Sequence, residues 1–114
     1  EGVGISVAVG SGVIVGMAVG GAGAISVTAN IAPRLCASMI RAAQAGDWQE
    51  ARRIHHQLLP LHSAMFLQTN PIPVKTAIGM MGLVSGDVRL PLCSMPEELN
   101  AKLRGILKQY ALIH

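Results

Sequence analysis

Gly23-Ala24-Ile25-Ser26-Val27-Thr28-Ala29-Asn30-Ile31-Ala32-Pro33-Arg34 is the stretch on which the fold turns. Residues 24–28 are short, rich in β-branched side chains and preceded by glycine, which predicts a strand. The stretch closes an uncharged run of 32 residues, Gly2 to Pro33, that holds eight of the 13 glycines. Strands covered on both faces, as in a parallel sheet, read as continuous apolar runs rather than alternating ones. Residues 4–9, Gly-Ile-Ser-Val-Ala-Val, fit the same description and predict a second strand. Parallel neighbours need a crossover, usually helical, so residues 13–19 are expected to form a short helix between them.

Outward from Arg34 the pattern turns helical. Pro33 belongs in a first turn, where its missing N–H does no harm. Leu35, Met39, Ile40 and Ala43 continue that helix, and Gly46 ends it. Asp47 and Glu50 stand in capping-box spacing at the start of the next helix. There Ala51, His55, Leu58, His62 and Met65 recur at helical spacing, with Ile54 and Leu61 beside them. Pro60 inside that pattern removes a backbone hydrogen bond and predicts a kink. Asn70-Pro71-Ile72-Pro73 predicts a rigid extended link, because a residue before proline is pushed out of the α region. A short helix over 74–81 then stops at Gly82, and a loop covers 84–95. Ser94 and Glu97 form a second capping-box pair ahead of a last helix through Leu99, Leu103, Ile106, Leu107 and Tyr110.

Composition narrows the function classes. Half the residues are apolar (51%) and 13% are charged, which excludes a disordered chain. A net charge of +3, thinly spread, is no nucleic-acid footprint, and 3% aromatics supply no stacking platform. Cys36 and Cys93 are isolated, so a reducing cytoplasm is the expected setting. A membrane anchor is one alternative for the uncharged run, given the GxxxG spacing of Gly12, Gly16 and Gly20. Against it stand the eight glycines and the lack of any Leu, Phe or Trp there. Gly10-Ser11-Gly12 after a strand invites a dinucleotide reading, but the next glycine, Gly16, comes one place late. No acid lies between Glu1 and Asp47 to bind a ribose.

Catalytic groups are sparse. His55 and His56 are neighbours on a helix, and His55 and His62 are two turns apart, so no metal-ligand spacing occurs. Cys36 reads as a small buried hydrophobe. Asp47, Glu50, Glu97 and Glu98 sit at helix starts, where they complement the helix dipole. Lys75 has no evident dry pocket to depress its pKa. Residues alone thus predict a strand–crossover–strand unit joined to four helices, with no self-contained active site. Two parallel strands cannot cover their own edges, so the chain reads as the end of something larger.

The stretch from Gly23 to Arg34 resembles the last barrel strand of the dihydrodipicolinate synthase family. Residues 51–66 are similar to that family's helix with an internal proline. Asn70-Pro71-Ile72-Pro73-Val74-Lys75 resembles its NPIPVK segment, and Gly82-Leu83 with Arg89-Leu90-Pro91 its GL…RLP loop. The resemblance covers Gly20 to the C-terminus, while residues 1–19 depart from the family pattern. It implies an α/β fold: the C-terminal portion, the last two strands, of a TIM (β/α)8 barrel followed by a small helical domain, mostly α by residue count. Residues 1–46 would be the last βαβα portion of the barrel and residues 47–114 the helical domain.

The same resemblance implies a class I aldolase-type lyase that condenses pyruvate with aspartate semialdehyde in lysine biosynthesis, in the cytoplasm and as a homo-oligomer. No cofactor is implied. A lysine forms the Schiff base and a tyrosine relays protons, and neither has a counterpart here, since Lys75 and Tyr110 lie in other segments. The chain alone is therefore expected to be inactive, with no catalytic residue and no metal site. The one pocket position carried over is Ile25, whose backbone carbonyl would face pyruvate, with Gly10 or Gly12 a doubtful equivalent of a pyruvate-side glycine. The implied partners are the two substrates and the missing N-terminal barrel part, with no nucleic acid and no membrane. The alternatives are a non-enzymatic association fragment, by half-barrel complementation or as a homo-oligomer, and a membrane-anchored helical protein.

Overall fold

A computed structural model describes residues 12–114. Among these residues the chain forms α1 (Val13–Ala18), a 3-10 turn (Thr28–Asn30), α2 (Pro33–Gln44), α3 (Trp48–Ala64), α4 (Ile72–Met80) and α5 (Glu97–Gln109). It divides into two compact units between Leu59 and Pro60.

The strand expected over 24–28 is not formed, and no strand occurs among the described residues. Residues 21–26 are irregular, and the chain then winds into the 3-10 turn. The reason is the backbone: a strand satisfies its N–H and C=O groups only through a neighbour. Local bonds win instead. Asn30 N–H donates to the Val27 carbonyl at 3.1 Å and Ile31 N–H to that of Thr28 at 3.0 Å. The expected strand over 4–9 lies outside the described residues, as do Gly10 and Ser11. The short helix expected over 13–19 is present as α1.

In the first unit α2 opens with Pro33 in its first turn and buries Cys36, Met39 and Ala43 on one face, next to the buried Ile31 and Ala32. Asp47 caps α3 as expected, its Oδ1 accepting the Glu50 N–H at 3.1 Å. The reciprocal half of the capping box is missing. Asp47 N–H is already used by the Ala42 carbonyl (2.9 Å), and the Glu50 carboxylate turns to Arg53 at 2.6 Å. The buried stripe of α3 in this unit is Ala51, Ile54 and Leu58, so Ile54 lies at its centre and His55 at its edge.

In the second unit Leu61 and Ala64 are buried on the last turns of α3, with Met65 buried just after it, and the helix runs through Pro60, which is exposed. The extended link expected at 70–73 is instead a helix start. α4 begins at Ile72 and carries Pro73 in its first turn. Burial of Ile72, Pro73 and Val74 outweighs the local bias against helix before proline, and a first-turn proline loses no bond. The capping pair expected at Ser94 and Glu97 does not form. The residue before α5 is Pro96, whose carbonyl accepts from the Leu99 and Asn100 N–H groups at 3.0 Å each. Leu103 and Leu107 of α5 are fully buried. Gly79 of α4 meets the loop so closely that a Cβ there would lie 2.9 Å from Gly86 Cα.

Four of the helices end alike. Gly20, Gly46, Gly82 and Ala111 follow α1, α2, α4 and α5 with positive φ. Each time the next N–H reaches back five residues, as Gly21 does to Gly16 (2.8 Å) and Leu112 to Leu107 (3.0 Å), the Schellman pattern. Ala111 alone carries a Cβ at φ 56°.

Ala111→Gly therefore relieves left-handed strain and should raise stability by about 0.5–1 kcal/mol, read as a higher denaturant midpoint at unchanged slope. Gly79→Ala should do the opposite. Its better helix propensity is outweighed by contact with backbone that cannot swing away, a loss of roughly 1–3 kcal/mol.

Candidate functional site

Ile25 lies in the irregular segment 21–26, its side chain 75% exposed. Among the described residues, the backbone N–H and C=O groups of residues 22–26 make no backbone hydrogen bond. From Ser26 onward the chain is tightly held. The Ser26 hydroxyl accepts the Ala29 N–H at 3.2 Å, and Asn30 Nδ2 donates to the Val27 carbonyl at 3.0 Å. Thr28 is buried, and its carbonyl accepts from both Ile31 and Ala32. Ile25 thus stands where an open segment meets a fixed turn. Residues 22–26 offer their backbone groups, which make no backbone hydrogen bond among the described residues. Ser26 was not singled out by sequence reasoning. The signal was present, because serine three residues before a turn N–H is a common side-chain-to-backbone motif.

The other expected residues belong to other elements. Lys75 is half-buried in the first turn of α4 and Tyr110 follows α5. Burial pushes the Tyr110 phenol up, partly offset by a backbone hydrogen bond with Leu61. Cys36 is buried on α2, and burial pushes its thiol up despite a hydrogen bond with Ser26. It is a protonated thiol at neutral pH rather than a nucleophile. His55 is pushed down by its burial and by the neighbouring His56, whose ring meets it edge-on at 5.4 Å. No group of three His, Cys, Asp or Glu residues that could hold a metal is found among the described residues. No described helix is long and apolar enough to cross a membrane. Gly12, the described part of the Gly10-Ser11-Gly12 loop, precedes a helix of only 6 residues.

A cavity of about 200 Å³ lies between α1, α2 and the open segment, lined by Val13, Met17, Ala24, Ile40 and Gln44 among others. Ile25 is not part of its wall, and Gln44 is the one side chain there with polar atoms. The lining suits packing better than chemistry.

Comparison with known proteins gives these features a context. Residues 11–110 match the model of the dihydrodipicolinate synthetase family. The chain is 53% identical over 97 residues to the 4-hydroxy-tetrahydrodipicolinate synthase of Methanocaldococcus jannaschii, covering 85% of this chain and 34% of that protein. It is 54% identical, over the same share of this chain and 33% of the relative, to the synthase of Geobacter sulfurreducens. Among solved structures, the dihydrodipicolinate synthase of Aquifex aeolicus superposes with a TM-score of 0.87 at 47% identity, over 90% of this chain and 35% of that one. The chain thus spans about a third of the length of the curated relatives it matches.

The histidine pair yields a prediction with a definite sign. His55 sheds its proton more readily folded than unfolded, so below the ordinary value of 6.5 the unfolded chain binds more protons. Stability should fall as pH drops from about 6.5 through the lowered value of the folded chain. Thermal melts should show this slope, and His55→Gln should flatten it.

Proposed function

The chain belongs to the dihydrodipicolinate synthetase family, and from that premise we propose that it is the C-terminal part of a class I aldolase-type lyase. The lyase condenses pyruvate with aspartate semialdehyde in lysine biosynthesis. The observation that supports this reading most is the joint agreement of sequence and fold, 47% identity at a TM-score of 0.87 over 90% of the chain. In this reading residues 1–46 complete a TIM barrel, residues 47–114 form the helical domain behind it, and the enzyme works in the cytoplasm as a homo-oligomer.

Within that enzyme the contribution of this chain is positional. Barrel active sites sit at the C-terminal ends of the strands. Segment 22–26 takes the place of the last strand, and its backbone groups, which make no backbone hydrogen bond among the described residues, suit pairing with strands on either side. The Ile25 carbonyl then faces the pyruvate pocket as a hydrogen-bond acceptor. The Schiff-base lysine comes from outside this chain, and the reaction needs no cofactor. Lys75 and Tyr110 do not replace the catalytic pair, because each belongs to the helical domain.

A second reading, an association fragment without activity of its own, draws support from exposed apolar side chains beside the same segment: Val15, Val19 and Ile25 at 62%, 79% and 75% exposure. It predicts concentration-dependent oligomers without pyruvate chemistry.

Borohydride trapping with pyruvate tests the proposal. The 114-residue chain alone should yield no adduct by intact mass. The same chain, fused in place of the aligned third of the Methanocaldococcus jannaschii protein, should yield one. An adduct on the chain alone, or none on the folded fusion, overturns the reading.

A further inference from the structure

Ser26 shares one peptide unit with Ile25. The Ile25 C=O and the Ser26 N–H lie in a single plane, so whatever holds Ser26 also sets the direction of that carbonyl. Ile25 has no packing of its own to do this, being 75% exposed. Ser26 has an anchor: its hydroxyl accepts the Ala29 N–H at 3.2 Å in a part-buried position. The turn it ties into is held on its far side, where the carbonyl of Thr28, 1% exposed, accepts from Ile31 N–H (3.0 Å) and Ala32 N–H (2.9 Å).

We propose that Ser26 is a positioning residue, whose hydroxyl links the Ile25 carbonyl to the 3-10 turn and so restrains the acceptor that meets pyruvate. This rests on the role given to Ile25 above. Ser26 touches no reacting atom, and it acts by limiting rotation of the Ile25–Ser26 peptide.

The test uses the active fusion and the chain itself. In the fusion, Ser26→Ala should raise the KM for pyruvate about three- to tenfold, the range of one lost hydrogen bond. The KM for aspartate semialdehyde should stay unchanged, and Ser26→Thr, which keeps a hydroxyl, should restore most of the loss. A merely structural role would lower the active fraction, and hence kcat, without moving the pyruvate KM. An unchanged pyruvate KM in Ser26→Ala, or Ser26→Thr as impaired as Ser26→Ala, overturns the proposal. In the 114-residue chain, Ser26→Ala should speed hydrogen exchange of the Ala29 amide about tenfold. Unchanged exchange overturns the anchor whatever the fusion does. An unsubstituted fusion without a pyruvate adduct defeats the functional reading instead, and the exchange result still decides the anchor.

Discussion

A strand cannot satisfy its own backbone. Helices close their hydrogen bonds within themselves, whereas every strand needs a neighbour for its N–H and C=O groups. Most of what distinguishes the two ends of this chain follows from that asymmetry. Residues 24–28 carry the β-branched composition of a barrel strand, yet they form none, and among the described residues the backbone of residues 22–26 makes no backbone hydrogen bond. The helices after Ile31 need no such partner. They form where their residues predict, and they carry most of the buried apolar side chains: Met39, Ile54 and Leu58 in the first unit, Leu61, Met65, Leu103 and Leu107 in the second.

The helical part is secured largely by its ends. Asp47 caps α3, Glu97 and Glu98 stand in the first turn of α5, and four helices stop in the same left-handed turn. Such features act over five or six residues, which is why they could be read along the chain. Glycine supplies three of the four stops at no steric penalty, and Ala111 supplies the fourth against one. The close approach of Gly79 to Gly86 is of another kind. It joins two segments whose proximity no local pattern announces.

Chemistry in this chain is backbone chemistry. Its cysteines are unpaired, one of them buried and held protonated, its tyrosine is pushed away from ionisation by burial, and the close ion pair of Glu50 with Arg53 lies in the first turns of a helix. In the proposed reading, what it offers to a substrate is the Ile25 carbonyl, with Ser26 behind it. A site built this way depends on orientation rather than on a tuned pKa. On that proposal, its function is shared with whatever supplies the reactive lysine and the flanking strands.

The sequence by itself determined the helices after Ile31, their starts at Pro33 and Asp47, their stops at Gly46 and Gly82, and the family resemblance carried by the Gly23–Arg34 and Asn70–Lys75 stretches. Each of these rests on short-range rules or on residues in fixed order. Where those rules misled, longer-range terms had taken over. Pro73 is helical because Ile72 and Val74 bury beside it. Ser94 caps nothing, because α5 begins after Pro96, with the Pro96 carbonyl accepting the Leu99 and Asn100 N–H groups. Ile54, not His55, centres the buried stripe of α3, because burial sorts adjacent residues that periodicity alone leaves level. Only the tertiary structure decided that residues 24–28 form no strand among the described residues and that the Ser26 hydroxyl takes the Ala29 N–H, since both depend on which groups stand close enough to share a hydrogen bond.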